Sequence, residues 1–404
     1  MMLTAKMERK IYAYNEVRYK NRAIEVLIAI AISFSPFTKL RVAGIGITEV
    51  ILLLLPFYSM LVLKDAKVTR YDNQVSRMYF FIICGSILGY IYNILFLGNI
   101  GEFDSARFNF ISYLICMVCC YGIESCLRNR VIDPLSVLDK SFWLLSIIAT
   151  ILFAISRTRS SFNGFSLLYY SYYCPLSDNI HQLAMIFSMF PALGIYLSIK
   201  RKTIIMKVLY IIISVVDIYI GLNTGSTKFV LGLIVGGISI LLLFVINSSA
   251  QYKFLITSII VVVSIVIFVL NYDIFVAMFR GNDVHSGRET LYGNGLQMIL
   301  KSPIFGYGPA VVVTGVYGMM MDAHETIITA YLAGGVIAFV SLLSTMYKKF
   351  VVLLRDKWLF GSMCGFLIYF LGGDVLRKEC MWVMLILATN IILDKEVYDY
   401  SLEG

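Results

Sequence analysis

The feature that most constrains this chain is a series of long apolar runs, of which FVLGLIVGGISILLLFVI, residues 229–246, carries no ionisable side chain at all. A helix crosses the hydrocarbon core of a bilayer in about 20 residues. Twelve runs of suitable length are predicted as crossings: 23–40, 42–63, 78–100, 108–126, 141–156, 182–199, 204–222, 229–247, 254–272, 327–346, 358–373 and 379–394. Composition agrees. With 59% hydrophobic and 15% charged residues and a mean hydropathy of +0.82, the 404 residues hold more apolar side chains than one soluble core hides. The expected fold is an all-α polytopic membrane protein, a single transmembrane domain over residues 1–404 with about 12 helices.

A net charge of +9 in a soluble domain would suggest nucleic acid, but here its distribution gives a simpler account. With both termini inside, the cytoplasmic segments and span ends hold 23 of the 34 Lys and Arg residues and the outer segments 11. That asymmetry follows the positive-inside rule and sets the orientation. No nucleic acid partner is expected. The N-terminal region carries Lys6, Arg9, Lys10, Arg18, Lys20 and Arg22 with no small-residue cleavage site after it, so an uncleaved anchor is expected. The eight cysteines read as small buried hydrophobes, with Cys174 alone in an outer loop.

Two connections exceed the ordinary length and face the same side: a medium outer loop over 157–181 and a large one over 273–326. Long loops tend to carry function. In the large loop, Glu289 to Leu300 has apolar residues at helical spacing and ends at Ser302-Pro303. A short surface helix is predicted there, with Arg288 in its first turn. Gly306-Tyr307-Gly308-Pro309 then suits a tight turn and close backbone approach. Asp322, His324 and Glu325 form a titratable cluster at the mouth of the next span.

The medium loop contributes Arg157, Arg159, Asn179 and His181. Its Tyr169, Tyr170, Tyr172 and Tyr173 suit an interfacial aromatic belt and sugar stacking equally. Arginines at such a boundary either snorkel to lipid phosphates or grip a diphosphate by paired hydrogen bonds. Their number on the side where basic residues are disfavoured favours the second. A third outer element is the turn Gly221 to Lys228, an ordinary small-residue turn or a functional one. Asp217, within the apolar run 211–220, is a functional-site hypothesis by its cost in the membrane, whereas Glu49 and Glu124 read as polar interhelical contacts.

The order Gly287-Arg288, Ser302-Pro303, Ile304-Phe305-Gly306-Tyr307-Gly308, then Ala323-His324-Glu325 leading to Gly334-Gly335, resembles the outer-loop signature of the O-antigen polymerase and O-antigen ligase superfamily. These are integral membrane glycosyltransferases. Thr224-Gly225-Ser226 resembles the family's small-residue turn, and Asn179 before Leu183-Ala184 its Asn ahead of a span. The agreement covers about 50 residues of the large loop. The chain departs from relatives in having Glu325 where Asn often follows the loop histidine, and Thr227-Lys228 where an Arg often follows the turn.

The resemblance implies transfer of sugar from a polyprenyl-diphosphate-linked oligosaccharide to a lipid-linked acceptor, at the outer face of a bacterial cytoplasmic (inner) membrane. It implies a place in lipopolysaccharide or other surface polysaccharide biosynthesis, with an undecaprenyl diphosphate carrier and a chain-length regulator as a further partner. No Asp-x-Asp motif or nucleotide-sugar domain is evident, so a metal-independent reaction without cofactor is expected. Arg288 and Arg159, with Arg157, Arg280 or Lys228, are expected to stabilise the departing diphosphate. His324 is expected to orient or deprotonate the acceptor hydroxyl, with Glu325 or Asp322 holding its tautomer, and Tyr307 and Asn179 to bind substrate. Polymerase is favoured over ligase by the abundance of Phe, Tyr and Ile and by the incomplete arginine turn. A flippase for the same lipid-linked sugars is the reading from another class.

Overall fold

The computed structural model describes residues 21–42, 45–62, 74–98, 103–177, 179–246, 287–309, 311–315, 320–321, 323 and 325–403. The chain is an all-α membrane protein. Seven helices among the described residues are long and apolar enough to cross a bilayer: Gln74–Leu97, Arg107–Arg128, Pro134–Ser156, His181–Ile199, Ile204–Leu222, Thr227–Ile246 and Thr326–Leu353. They differ in what surrounds them. Protein buries 83% of the apolar window of His181–Ile199 but only 22% of that of Thr227–Ile246, whose remaining surface suits lipid.

In chain order the helices are α1 (Arg22–Phe34), α2 (Ile47–Val62), α3 (Gln74–Tyr92), α4 (Phe103–Arg128), α5 (Pro134–Ser156), α6 (His181–Phe187), α7 (Phe190–Ile199), α8 (Ile204–Leu222), α9 (Thr227–Ile246), α10 (Gly287–Lys301), α11 (Thr326–Leu353), α12 (Lys357–Gly372) and α13 (Glu379–Glu403). The predicted span 254–272 lies outside the described residues. The predicted span 23–40 is helical only to Phe34, and its 13 residues rise about 20 Å, short of the bilayer core. Pro36 has no N–H to continue the ladder. The chain turns there and enters a two-stranded hairpin, β1 (Arg41–Val42) with β2 (Ile45–Gly46).

Contacts cluster into two compact units, each drawn from several stretches of sequence. The first comprises residues 1–80, 111–183 and 377–404. In it α5 packs against α1 and α13, and α1 against α2. Its buried acids are tied to neighbouring helices. Glu25 on α1 accepts from Asp133 N, Ser136 Oγ and Lys140 Nζ at the head of α5. Glu124 on α4 accepts from Val75 N at 2.9 Å and from Ser76 N and Oγ, closing the exposed N–H groups at the head of α3. Glu124 is thus the interhelical contact expected of it. Seven of the eight cysteines are buried and all eight are free thiols; Cys174, expected in an outer loop, is buried within it.

The medium loop is not irregular. It folds as two consecutive hairpins, β3 (Ser161–Phe162) with β4 (Phe165–Ser166) and β5 (Leu168–Tyr169) with β6 (Tyr172–Tyr173). Asn163-Gly164, both left-handed, make the first turn, a pairing suited to two-residue hairpins.

The second unit comprises residues 81–110 and 184–376. Here α9 packs along α12 through small residues, Gly232 and Gly236 facing Gly365 and Gly361. A Cβ on Gly236 would come within 2.6 Å of Gly361 O. Such spacing lets two apolar helices approach closely where dispersion, not water exclusion, drives association.

The span predicted as continuous over 327–346 is broken inside. Gly334 (φ −133°, ψ 17°) and Gly335 (φ 61°, ψ −153°) leave helical geometry midway through α11. The residues after α10 insert at that break. Tyr307 N donates to Leu332 O (2.6 Å), Gly308 N to Ala333 O (3.0 Å), and Val336 N to Ile304 O (3.1 Å). Three groups that the helix gives up are satisfied by one short segment. From the other side α3 presses on the same point, where a Cβ at Gly85 would lie 2.5 Å from Gly334 O and one at Gly89 would lie 2.5 Å from Phe305 O. A Cβ at Gly335 would run into Ile304 O, and the left-handed backbone there disfavours any side chain. Gly335→Ala is therefore expected to destabilise by roughly 2–4 kcal/mol. Gly237→Ala, in open space on helix α9, should be neutral or slightly stabilising. Thermal unfolding of both variants in detergent checks this; a Gly335→Ala midpoint equal to wild type would refute the interlock.

Candidate functional site

The head of α11 organises the second unit's polar residues. Glu325 is its N-cap, in extended conformation, and its Oε2 accepts from Ile328 N at 2.6 Å while its carbonyl accepts from Thr329 N and Oγ1. A carboxylate at this end also faces the positive pole of the helix. Thr326 Oγ1 donates to Gly373 O (2.7 Å) and accepts from Val375 N (3.1 Å), joining the head of α11 to the turn after α12. Asp374 sits in that turn, its Oδ1 accepting from Leu376 N. Burial, aided by the charge of Asp374, pushes the Glu325 carboxyl above the usual carboxylate range, although hydrogen bonds from Ile328 N and Ile327 N pull the other way.

Lys228 meets the same turn from α9. Its Nζ lies so near Gly373 that a Cβ there would be 2.9 Å away, and it sits 5.8 Å over the Tyr369 ring. The Tyr369 hydroxyl shares a 2.8 Å hydrogen bond with Ser226 Oγ, so the small-residue turn and α12 are tied beside the ammonium. The turn itself is built as expected. Thr224 Oγ1 donates to Gly221 O (2.6 Å) and Gly225 takes φ 69°. Two expected site residues, Lys228 and Glu325, are thereby gathered around Gly373, although nearly a hundred positions separate them in the chain. Thr326, Tyr369, Gly373, Asp374 and Ser226 were not foreseen as part of this cluster. Gly372-Gly373-Asp374 at the C-terminal end of an apolar run was the available signal.

Tyr307 departs from its expected role. It is 1% exposed, packed with Leu291, Val311, Val313, Ala323 and Leu332. Its hydroxyl donates to Met298 O (2.8 Å), and its carbonyl accepts from Asn93 Nδ2 (3.1 Å). Burial raises its phenol, keeping that donor protonated. Buried in this way, Tyr307 presents no face to a substrate and instead fixes the inserted segment between α10 and α11. Asn93 opens a π-helical turn, Asn93–Leu97, at the end of α3. Asn109 Nδ2 holds Pro309 O at 2.7 Å.

Helix α10 coincides with the helix predicted over Glu289 to Leu300 and begins two residues earlier, so Arg288 lies in its first turn. Leu291 is buried, while Leu296 (55%) and Leu300 (79%) leave an apolar strip exposed on another face. The side chain of Arg288 lies outside the described residues, as do Arg280, His285, Asp322 and His324.

In the first unit, Arg157 follows the last turn of α5 and its guanidinium lies 4.4 Å over the Phe153 ring. Arg159 is exposed, and among the described residues its side chain makes no hydrogen bond or ion pair. Asn179 Oδ1 accepts from His181 N (2.8 Å) and its carbonyl from Gln182 N, so this residue starts helix α6. In the second unit, Asp217 is fully buried in α8, on one face with Tyr210 and Ser214.

Compared with family models, curated proteins and solved structures, the chain matches none. The resemblance rests on the quoted residues.

Because the Glu325 carboxyl is held above its usual range, its protonated form is favoured by folding. The stability this confers is full below the ordinary glutamate value of about 4.3 and is lost as pH rises through the folded value. Glu325→Gln retains an acceptor for Ile328 N and should flatten that part of the profile, whereas Glu325→Ala loses the cap as well and should cost about 1 kcal/mol below the ordinary glutamate value, the difference narrowing as pH rises through the folded value. Unfolding midpoints of the three proteins across the acidic range test this; parallel profiles for wild type and Glu325→Gln would contradict it.

Proposed function

We propose that this chain is a polymerase of bacterial surface polysaccharide, of the O-antigen type. It joins polyprenyl-diphosphate-linked repeat units at the outer face of the cytoplasmic membrane. Twelve crossings with both termini in the cytoplasm form part of this reading, as does a large outer loop ending at residue 326. One observation carries it. Of the segments that resemble the family, Ile304 to Gly308 bonds directly to α11, which begins at the third, Glu325 to Gly335, and Thr224 to Lys228 reaches Gly373, the residue to which Thr326 at the head of α11 is bonded, all within one compact unit. A shared catalytic surface requires such convergence, whereas unrelated loops do not.

In this reading Arg288 and Arg159 stabilise negative charge on the departing diphosphate, with Arg157, Arg280 or Lys228 assisting, and His324 orients or deprotonates the attacking hydroxyl. Glu325 acts from one residue away, as the cap that fixes where the chain turns into α11. The diphosphate supplies a good leaving group, so the transfer proceeds without metal. The exposed strip of Leu296 and Leu300 on α10 supports a helix lying in the membrane surface, where the polyprenyl chain enters.

The test is genetic and biochemical. A strain lacking the protein should show surface glycan of a single repeat unit on gels, and wild-type protein should restore the ladder. Arg288→Ala and His324→Ala should each leave the single-repeat pattern, and Lys228→Met should shorten the chains. Free polymer not attached to its lipid acceptor would identify a ligase instead. In liposomes, chain growth without any ion gradient supports the enzyme; gradient-driven translocation of the lipid-linked unit without chain growth would replace it with a flippase.

A further inference from the structure

The double hairpin after α5 carries a second surface that this reading does not use. Each hairpin pairs two aromatic residues across its strands, Phe162 with Phe165 and Tyr169 with Tyr172. Residues paired across strands share a face, and these four are exposed by 40%, 37%, 44% and 46%. Tyr170, between the strands of the second hairpin, is 87% exposed and holds a left-handed backbone (φ 55°), an uncommon conformation for an aromatic residue. Five exposed rings in 11 residues are more apolar surface than a solvated loop needs.

What covers them follows from how the hairpins are anchored. The strand partners Leu168 and Tyr173 lie on the opposite face, and Tyr173 is buried. Its hydroxyl donates to Ala149 O at 2.8 Å, and its ring meets Phe153 edge-on at 5.0 Å. Ala149 lies seven residues before the end of α5, about 10 Å back along the helix. The 23 residues of α5 span about 34 Å against a core of about 30 Å, so the Ala149 carbonyl lies inside the hydrocarbon boundary. The second hairpin therefore folds back against the flank of a spanning helix rather than rising off its end. On that helix Ile147 and Ile151 are exposed and suit lipid. Arg157 and Arg159, both exposed, flank the hairpins with positive charge.

We propose that the aromatic face of residues 162–172 is a lipid-docking surface, seated at the headgroup level of a phospholipid bilayer. Rings with a polar tip bury their bodies among the upper acyl chains and keep the hydroxyl at the ester and phosphate layer. The strained backbone at Tyr170 is maintained by the contact its ring makes there.

The test uses the full-length protein in nanodiscs of phosphatidylethanolamine and phosphatidylglycerol. A Tyr170→Trp variant adds emission over the three native tryptophans. Lipids brominated in the upper acyl chain should quench the added emission about two-fold, while aqueous iodide leaves it nearly unchanged. Tyr170→Gly relaxes the turn, so its unfolding midpoint in detergent should equal or exceed wild type, while the gain in midpoint on transfer to nanodiscs should shrink. Strong iodide quenching without bromolipid quenching would overturn the proposal. So would iodide quenching relieved by added oligosaccharide, which would mark a glycan surface instead.

Discussion

Much of the second unit depends on a single constraint: a helix broken at membrane depth must have its freed backbone groups satisfied by protein. Gly334 and Gly335 release Leu332 O, Ala333 O and Val336 N from the α11 ladder, and hydrocarbon offers no partner for any of them. The segment Ile304 to Gly308 supplies all three bonds. It can do so only because its own backbone comes within touching distance of two helices, and glycine stands at each closest approach. The break and the insertion are one structure, and neither is stable alone.

That interlock has consequences for the chemistry. The break divides α11 into an N-terminal piece of about two turns, the outer piece in the proposed orientation, and a longer C-terminal piece. The outer piece is held by the inserted segment on one side and through Thr326 by the turn at Gly373 on another. Its head, with Glu325 as cap, is accordingly fixed against both, and the position of any group immediately before it is set by that cap. Tyr307 serves the same end from the core, spending its hydroxyl, carbonyl and amide on Met298, Asn93 and Leu332. Such anchoring holds the inserted segment and the head of α11 as one rigid element.

Apolar runs made the spanning helices legible in the sequence, since hydropathy reports directly on what lipid demands. The surface helix α10, the turn at Thr224 to Ser226 and the close approach at Gly306 to Gly308 were legible too, each from a local pattern. The break at Gly334-Gly335 was not, because both glycines sit in an unbroken apolar run and hydropathy does not register φ. The burial of Tyr307 was not legible, because it depends on α10 and α11 folding over the residue, which no local window contains. The two hairpins were missed although Asn163-Gly164 is a strong turn signal, because two-residue strands are too short to show alternation. Asp374 escaped notice because its importance comes only from its proximity to Glu325.

The lysine in the turn after α8 illustrates how such nonlocal geometry selects a residue. Relatives in the resembled family often carry arginine near this point, and the substitution would look conservative on charge alone. The Lys228 ammonium, however, lies against the backbone at Gly373, where not even a Cβ would fit beside it, and over the Tyr369 ring at the C-terminal end of α12. A compact point charge suits this niche, and it offsets the negative pole of α12. The Gly372-Gly373 step leaves room for this side chain, whose Cε would stand 3.4 Å from a Cβ on Gly372 and whose Nζ would stand 2.9 Å from one on Gly373.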